Sequence, residues 1–382
     1  QPYGAFVQNN DLGVIDGAVL TDKTKITVVK KTAPMAVALE YTYWSSPIFG
    51  ETIGDGLFES NASRRYRFNA QNYSDPDGNG IDDSNNDWER ITEGTTPMET
   101  GVGYASTHDP NIFIFSGVGY EYIFEGPFNN GEIRVPIYRN NAVTTDENPN
   151  LIGNPYPSAI DVDLFLAANT VVATNGSYTD TAGNTYIDGV IYFWSHNSGA
   201  STANAGNELY NFPSSDYAVI NGLDGIAGGD GDIPNRFIPS GQGFFINMSD
   251  AAIPIIPDVN NISTGEVVFN NSIRVLGATD NSQFFKNSNA RNKATASNIN
   301  KLWVNLTSDN GLFNQTLIGY IDGATNDYDG SFYDAPKNTT TGAAAILFSN
   351  IEGSNKLFAI QGKSPSSLNE NEVINLGFNT SI

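Results

Sequence analysis

The residues best suited to chemistry lie in one acidic stretch, residues 74–89, which reads SDPDGNGIDDSNNDWE. A hard cation such as Ca²⁺ is bound by about six to eight oxygen atoms. Alternate residues of a tight loop can direct their oxygens inward, and Gly80 allows the chain to turn sharply between them. The spacing therefore predicts one calcium site. The predicted ligands are the side chains of Asp75, Asp77, Asn79 and Asp83 and the backbone carbonyl of Ile81.

The same stretch is similar to the loop of an EF-hand but departs from it at the twelfth position. Asn86 stands there in place of a glutamate that would bind the ion through both oxygens, and Asp87 or Glu89 could supply the missing oxygens. No helical pattern flanks the loop, so a complete EF-hand is not expected. Asp82 is expected to point away from the ion. The alternative interpretation is an acidic Asn/Gly turn that binds no ion tightly.

Two other acidic loops contain residues that could bind a cation. Residues 222–235 contain Asp224, Asp230 and Asp232, which could hold a second ion. A glycine-rich surface loop without an ion is the favoured interpretation of that stretch. The sequence does not decide whether residues 322–330 bind an ion.

Nucleophilic and metal-assisted catalysis have little support in the sequence. The two histidines, His108 and His196, both lie next to turns, and neither a G-x-S-x-G elbow nor an H-E-x-x-H motif is present. Residues 362–364 read GKS, as at the end of a phosphate-binding loop, but Leu357 stands where that loop needs a glycine. We therefore predict no catalytic residues and a protein that is not an enzyme.

The composition excludes several classes of function. The chain of 382 residues carries 42 acidic and 19 basic residues, and its net charge of -23 argues against binding to nucleic acid or to anionic membranes. Because cysteine is absent, disulfides, thiolate metal sites and cysteine nucleophiles are excluded. No apolar run of about 18 residues is present, so no membrane span is expected.

Short alternations of apolar and polar residues, broken by Asn, Gly and Pro, predict an all-β fold. Residues 1–35 are expected to form the end of a β-solenoid or an N-terminal hairpin. Two β-sandwich-like domains should follow, residues 36–260 and 261–382, with a boundary at the prolines near residue 260. One short helix is predicted after Pro157, with Ser158 and Asp161 as a capping box and three residues on its buried face: Val162, Phe165 and Leu166.

Aromatic residues are abundant, with 22 Phe, 18 Tyr and 4 Trp. The strands YTYWSS (41–46) and VIYFW (190–194) alternate in a way that favours burial of these rings in the core. The sequence leaves open whether exposed rings bind sugars, and it does not indicate where such rings would lie.

Several segments together resemble the large secreted surface proteins of gliding and marine Bacteroidetes, which are exported by the type IX system. The segments include YTYWSSPIFGE (41–51), RFNAQNYSDPDGNGIDDSNNDW (67–88), LIGNPYPSAIDVDLFLAAN (151–169), IPSGQGFFI (238–246) and FNQTLIGYIDGATNDYDG (313–330). The resemblance implies secretion, a β-solenoid upstream and a C-terminal sorting domain downstream, which is not visible in this sequence.

The expected function is a non-catalytic, calcium-stabilised stalk or adhesion module at the bacterial cell surface or outside the cell. Its partner would be an extracellular glycan or protein. The alternative is a carbohydrate-binding module of a secreted polysaccharide-degrading system, and an enzyme is the least favoured reading.

Overall fold

The fold is all-β, as the sequence predicts, and the described part contains two short helices and several separate sheets, none of them closed. The predicted solenoid remnant falls mostly on residues 1–24, which lie outside the described residues. The computed structural model describes residues 25–76, 82–84, 86–142, 148–170, 172–174, 177–179, 186–195, 198–199, 201–202, 204, 211–213, 216–249, 257–275, 300–309, 312–337 and 345–380.

The N-terminal region, residues 25–275, begins with two sheets that share a core. The first sheet pairs β1 (Lys25–Lys31) with β6 (Glu121–Pro127). The second is antiparallel, with β2 (Tyr41–Trp44), β3 (Ser60–Phe68), β4 (Trp88–Arg90) and β5 (Tyr104–His108) in the order β2-β5-β3-β4. A four-residue helix, α1 (Ile53–Gly56), packs against β6. The shared core contains the fully buried side chains of Trp44, Ile48, Ile53, Tyr122 and Phe124.

A five-stranded antiparallel sheet forms the centre of the N-terminal region. Its order is β14-β13-β12-β16-β8, from β8 (Pro149–Gly153), β12 (Ile187–Trp194), β13 (Tyr217–Ile220), β14 (Gly225–Ile226) and β16 (Gly243–Met248). One face packs against α2 (Val162–Asn169) and the pair β7 (Ile133–Asn140) and β17 (Ile262–Phe269) to form the largest core. Two short ladders complete the region: β9 (Ile160–Asp161) with β15 (Phe237–Ile238), and β10 (Val172–Thr174) with β11 (Ser177–Thr179).

Helix α2 confirms the predicted buried face, because Val162, Phe165 and Leu166 are each 0 % exposed. The predicted capping box is wrong. Asp161 is the N-cap, since its side chain accepts the Leu164 N–H at 3.0 Å, whereas the Ser158 hydroxyl accepts a hydrogen bond from the guanidinium of Arg274. Within the described ranges, neither helix has the length and apolar character needed to cross a bilayer.

The C-terminal region, residues 300–380, consists of two three-stranded sheets. One has the order β18-β19-β22, from β18 (Asn300–Thr307), β19 (Phe313–Tyr320) and β22 (Ile360–Lys363), and β19 and β22 run parallel. The other has the order β21-β20-β23, from β20 (Ala345–Asn350), β21 (Leu357–Phe358) and β23 (Leu376–Thr380). The chain just after residue 260 pairs back with the N-terminal region, because β17 runs antiparallel to β7 along its whole length.

The two regions share an apolar interface, which we call the joint. Its buried side chains come from both regions: Val190, Val219, Leu223 and Ile226 from the first, and Leu317, Ala335, Ala359 and Ile360 from the second. Polar contacts frame it, including an ion pair of 2.7 Å between Lys301 Nζ and Asp224 Oδ2. The Trp303 indole N–H also donates to the carbonyl of Gly225 at 3.0 Å. The joint therefore combines apolar burial with directional bonds.

Candidate functional site

The Asp loop, residues 69–87, connects β3 to β4. Its base is fixed by the antiparallel pairing of Phe68 with Trp88 and by Glu89, whose two carboxylate oxygens accept hydrogen bonds from Asn69 Nδ2 at 2.7 Å and Arg67 Nε at 2.6 Å. Partial burial opposes ionisation of Glu89, but these hydrogen bonds and the charge of Arg67 lower its pKa on balance. Both carboxylate oxygens of Glu89 are therefore already used in hydrogen bonds at the base of the loop.

The carboxylates of the Asp loop differ sharply in exposure. Asp75 is 0 % exposed, Asp82 is 5 % exposed and Asp87 is 7 % exposed, whereas Asp83 is exposed. The expectation that Asp82 points outward is wrong. Its Oδ1 accepts the backbone N–H of Ser74 at 2.7 Å and the hydroxyl of Ser84 at 3.1 Å, so two donors within the loop draw this carboxylate inward.

The structure describes two of the five predicted calcium ligands. Asp75 is buried inside the loop, and the backbone N–H of Asp83 donates to the carbonyl of Ser74 at 2.7 Å, which closes the loop across its middle. The other three predicted ligands lie outside the described residues: Asp77, Asn79 and Ile81. Among the residues that are described, no group of three or more acidic or histidine side chains is arranged to hold a metal ion. Calcium binding therefore stays a prediction.

An aromatic cluster adjoins the Asp loop, between one face of the four-stranded sheet and the outer face of the five-stranded sheet. Its buried members are Tyr43, Ala105, Leu151 and Phe245. Alternate positions of the strands direct further rings to the same side, because side chains of a strand alternate between its two faces. The rings that are only partly buried against the cluster are Tyr41, Tyr66, Phe68, Trp88, Tyr192, Trp194 and Tyr217.

The centre of the aromatic cluster is held by ring packing and one hydroxyl pair. The ring centroid of Tyr43 lies 5.9 Å from that of Trp194, with the two rings nearly stacked, and 5.7 Å from that of Phe245, with the rings edge to face. The hydroxyls of Tyr43 and Tyr217 are 2.8 Å apart. Burial raises the pKa of both hydroxyls, and the nearby carboxylate of Asp87 acts in the same direction. The last acid of the Asp loop therefore lies against the aromatic cluster.

The exposed edge of the cluster, which we call the aromatic rim, consists of Tyr41, Tyr66, Phe212 and Arg64. Tyr41 is 6.1 Å from Tyr66 and 6.0 Å from Phe212, both in edge-to-face arrangements, and all four side chains are partly exposed. Burial and the neighbouring Tyr66 raise the pKa of the Tyr41 hydroxyl to about 12, whereas Arg64 beside it acts in the opposite direction. The rim thus offers aromatic surface and hydrogen-bond donors together.

The sequence prediction for the aromatic strands is confirmed for the buried positions and fails for the rim. Tyr43, Trp44 and Phe193 are buried, whereas Tyr41 and Trp194 are partly exposed. The period-2 pattern identifies rings that share a face. It carries no information on which sheet will cover that face, or how completely, so the rim could not be located from the sequence.

His108 is buried at the end of β5, with 1 % exposure. Its Nδ1 is 3.0 Å from the hydroxyl of Tyr122, and its ring packs 4.0 Å from that of Tyr120. Burial lowers the pKa of His108, with Asp109 opposing the shift. His196 lies outside the described residues.

The two other acidic loops make bonds of their own. In residues 222–235, Asp224 pairs with Lys301, and Asp230 Oδ1 accepts the Asp232 N–H at 3.0 Å. In residues 322–330, Asp329 Oδ1 accepts the hydroxyl of Thr325 at 2.7 Å. These contacts give the acids structural roles within their loops and at the joint.

No match to the chain is found among curated proteins or among solved structures. One family model, described as a domain of unknown function (DUF8693), matches residues 1–382. The chain belongs to this DUF8693 family.

Proposed function

We propose that the chain is a non-catalytic, calcium-stabilised stalk or adhesion module of a secreted bacterial cell-surface protein. The observation that carries the proposal is the complete burial of Asp75, the first residue of the alternating oxygen pattern. A divalent cation binds carboxylate oxygens that are brought together on the inside of a loop, and the burial of Asp75 places its carboxylate there. Asp77, Asn79, Asp83 and the carbonyl of Ile81 would complete the ligand set with Asp75.

Calcium in the Asp loop would stabilise an otherwise weak part of the four-stranded sheet. β4 is an outer strand of only three residues, Trp88–Arg90, and the loop joins it to β3. Trp88 also packs on the aromatic cluster, 5.2 Å from Phe68 and 6.0 Å from Tyr43. An ion that fixes the loop would therefore hold β4 in register and keep Trp88 in place.

The charge, the lack of cysteine and the resemblance to secreted Bacteroidetes proteins support the extracellular location. A net charge of -23 suits a medium rich in divalent cations, where acidic loops are neutralised by ions. Secretion, the flanking solenoid and the sorting domain are part of the same proposal, and they rest on the resemblance.

The test is a thermal melt of the protein in calcium, in chelator, and in chelator with excess magnesium, at matched ionic strength. A ligand that binds only the folded state stabilises it by about 2.7 kcal/mol at one hundred times its Kd, so chelation should lower the Tm. Magnesium should restore little of the loss, because it prefers a smaller octahedral site.

Two variants make the test specific. Asp75→Asn should reproduce the effect of chelator and abolish calcium binding in isothermal titration calorimetry. Asp309→Asn removes the same charge from an exposed position just after the end of β18 and should melt like the parent protein. Equal Tm values in calcium and chelator would show that the loop is an acidic turn, and the calcium proposal would then be abandoned.

A carbohydrate-binding module is the second candidate function, and the aromatic rim favours it. Partly exposed aromatic rings beside a guanidinium are the combination that small-molecule and sugar sites use, with apolar surface for contact and a few polar groups for orientation. A panel of polysaccharides tested for binding and for hydrolysis separates this function from a purely structural module and from an enzyme.

A further inference from the structure

Two loops of the N-terminal region carry many of the exposed apolar side chains. They are residues 32–40, which join β1 to β2, and residues 109–120, which join β5 to β6. Of the sixteen large apolar side chains that are exposed in the described ranges, six lie on these two loops: Val37, Leu39, Ile112, Ile114, Phe115 and Val118. We call these six residues the apolar patch.

The two loops are bonded to each other, which brings their apolar side chains to one part of the surface. The N–H of Met35 donates to the carbonyl of Val118 at 3.0 Å, and the N–H of Gly117 donates to the carbonyl of Met35 at 2.7 Å. The N–H of Thr32 also donates to the carbonyl of Tyr120 at 3.0 Å. With exposed fractions from 39 % to 71 %, the six side chains present on the order of 500 Å² of apolar surface, an area at which a surface patch is often functional.

Hydrogen bonds fix the backbone of both loops. The Tyr120 hydroxyl accepts the N–H groups of Ile114 and Phe115 at 3.0 and 2.9 Å and donates to the carbonyl of Phe115 at 2.7 Å. In the other loop, Glu40 Oε1 accepts the N–H of Ala36 at 2.6 Å. Because the loops are already ordered, little conformational entropy is lost when a partner covers the patch.

The apolar patch is uncharged, although the chain is strongly acidic. Residues 32–39 and 110–120 contain no Asp, Glu, Lys or Arg, whereas the whole chain has a net charge of -23. One charge of each sign borders the loops, because Lys31 ends β1, Glu121 begins β6, and the two form an ion pair of 3.3 Å with both side chains partly exposed. Such a border is complementary to itself under a two-fold rotation, since each charge can meet the opposite charge of a second copy.

We propose that the apolar patch is a two-fold interface through which two copies of this chain associate. A stable interface buries about 800 Å² on each partner, and roughly 65 % of a homodimer interface is apolar, so the apolar area needed is on the order of 500 Å², as the patch exposes. Two copies with a net charge of -23 repel each other elsewhere, and the uncharged patch lets them approach. The interface goes beyond the module proposed above and does not depend on its calcium ion.

A lipid surface fits the apolar patch less well than a second copy does. Segments that lie in a membrane interface combine apolar side chains with Trp or Tyr and with Lys or Arg at the level of the headgroups. None of the six residues of the patch is of these types, and the net charge of the chain opposes binding to anionic lipids.

The experiment measures the dimer dissociation constant of the whole chain by analytical ultracentrifugation, at low and high salt and at a fixed calcium concentration. The parent should dimerise, and its Kd should be lower at high salt, because salt screens the repulsion between the two acidic copies. Ile114→Ser and Phe115→Ser should each raise the Kd by about tenfold or more, since they remove the two most exposed side chains of the patch.

Phe49 provides a matched control, because it is 67 % exposed and Phe115 is 65 % exposed. Its N–H donates to the carbonyl of Pro127 at 2.8 Å, at the end of the β1–β6 ladder opposite to Lys31 and Glu121. Phe49→Ser should therefore dimerise with a Kd within about twofold of the parent value. All three serine variants change exposed residues and should melt like the parent, which separates a loss of association from a loss of folding.

A charge exchange tests whether the partner is a second copy in two-fold contact. Lys31→Glu and Glu121→Lys should each raise the Kd several-fold, because like charges then face each other in the dimer. An equimolar mixture of the two variants should form a heterodimer with a lower Kd than either variant alone, since opposite charges meet again between the copies. The ion pair within each copy is lost in both variants, alone or mixed, so it cannot produce this recovery.

Four results would overturn the proposal. One is a parent that stays monomeric up to about 0.1 mM, where an interface of this size should be populated. The others are a dimer that Ile114→Ser and Phe115→Ser leave unchanged, a mixture of charge variants no tighter than either alone, and a monomeric parent that binds phosphatidylcholine vesicles through Phe115. A calcium melt that refutes the ion site leaves all four measurements as they are, so the two proposals fail separately.

Discussion

The joint offers the sharpest test of the packing described above, because one ring of the C-terminal region lies directly on a glycine of the N-terminal region. A Cβ atom added at Gly222 would lie 2.3 Å from Cζ of Phe332 and 2.5 and 2.6 Å from its Cε atoms. Gly222 also donates its N–H to the carbonyl of Phe332 at 3.2 Å. The ring and the glycine are therefore in contact through both side chain and backbone.

Gly222→Ala should lower the free energy of unfolding by about 1–3 kcal/mol, the usual cost of placing a methyl group in occupied space. Phe332→Ala should lower it by about 2–3 kcal/mol, less than for a fully buried phenylalanine because this ring is only partly buried. In the double variant the deleted ring leaves room for the methyl group. The double variant should therefore be about as stable as Phe332→Ala alone, with a coupling energy of about 1–3 kcal/mol.

The assay is urea unfolding followed by tryptophan fluorescence, with Trp303 at the joint as one reporter. Gly199→Ala serves as the control, because nothing lies within 4 Å of a Cβ atom at that position, and its stability should stay within about 0.5 kcal/mol of the parent. Additive losses in the double variant, within about 0.5 kcal/mol, would mean that the ring and the glycine do not meet, and the account of the joint would be refuted.

Two further predictions concern pH. Burial lowers the pKa of His108, so the folded state favours the neutral imidazole. The stability that neutral His108 contributes should be complete above the unfolded-state pKa of about 6.5 and be lost as the pH falls through the lower folded-state pKa. His108→Gln should remove this pH dependence in urea unfolding between pH 4 and 8. Burial also lowers the pKa of Lys337 to about 7, and its ammonium donates to the carbonyl of Gln315 at 3.0 Å. The stability of the parent should therefore rise between pH 7 and about 10.5. Lys337→Met should be more stable than the parent below pH 7 and should lose that advantage near pH 10.5. An unchanged pH profile in either variant would contradict the corresponding prediction.

The local pattern of apolar and polar residues was sufficient to predict the features that depend on residues close together in the sequence. The alternation in YTYW predicts β2, and the spacing of Val162, Phe165 and Leu166 predicts the buried face of α2, because each reflects the period of one element. The capping residue was misassigned because Ser158 and Asp161 are both good N-caps, and the choice is made by a distant partner. Arg274 binds the Ser158 hydroxyl, and so leaves Asp161 to cap the helix.

Long-range pairings could not be predicted from the pattern. The pairing of β17 with β7 joins residues more than a hundred positions apart, and prolines near residue 260 gave no sign of it. The orientation of Asp82 depends on the N–H of Ser74, a contact that is set by how the loop folds back on itself. The aromatic rim depends on where one sheet stops covering another. In each case the deciding interaction is tertiary, and neighbouring residues alone do not encode it.

The joint also has a mechanical consequence. Apolar side chains from both regions share one cluster, an ion pair of 2.7 Å joins the regions, and a ring is fitted against a glycine. We therefore expect the two regions to move together and not to swing on a linker. The aromatic rim on the N-terminal region should therefore keep a constant orientation relative to the sheet of β18, β19 and β22. A force applied to one region should therefore be transmitted to the other through the joint, without prior movement of one region relative to the other.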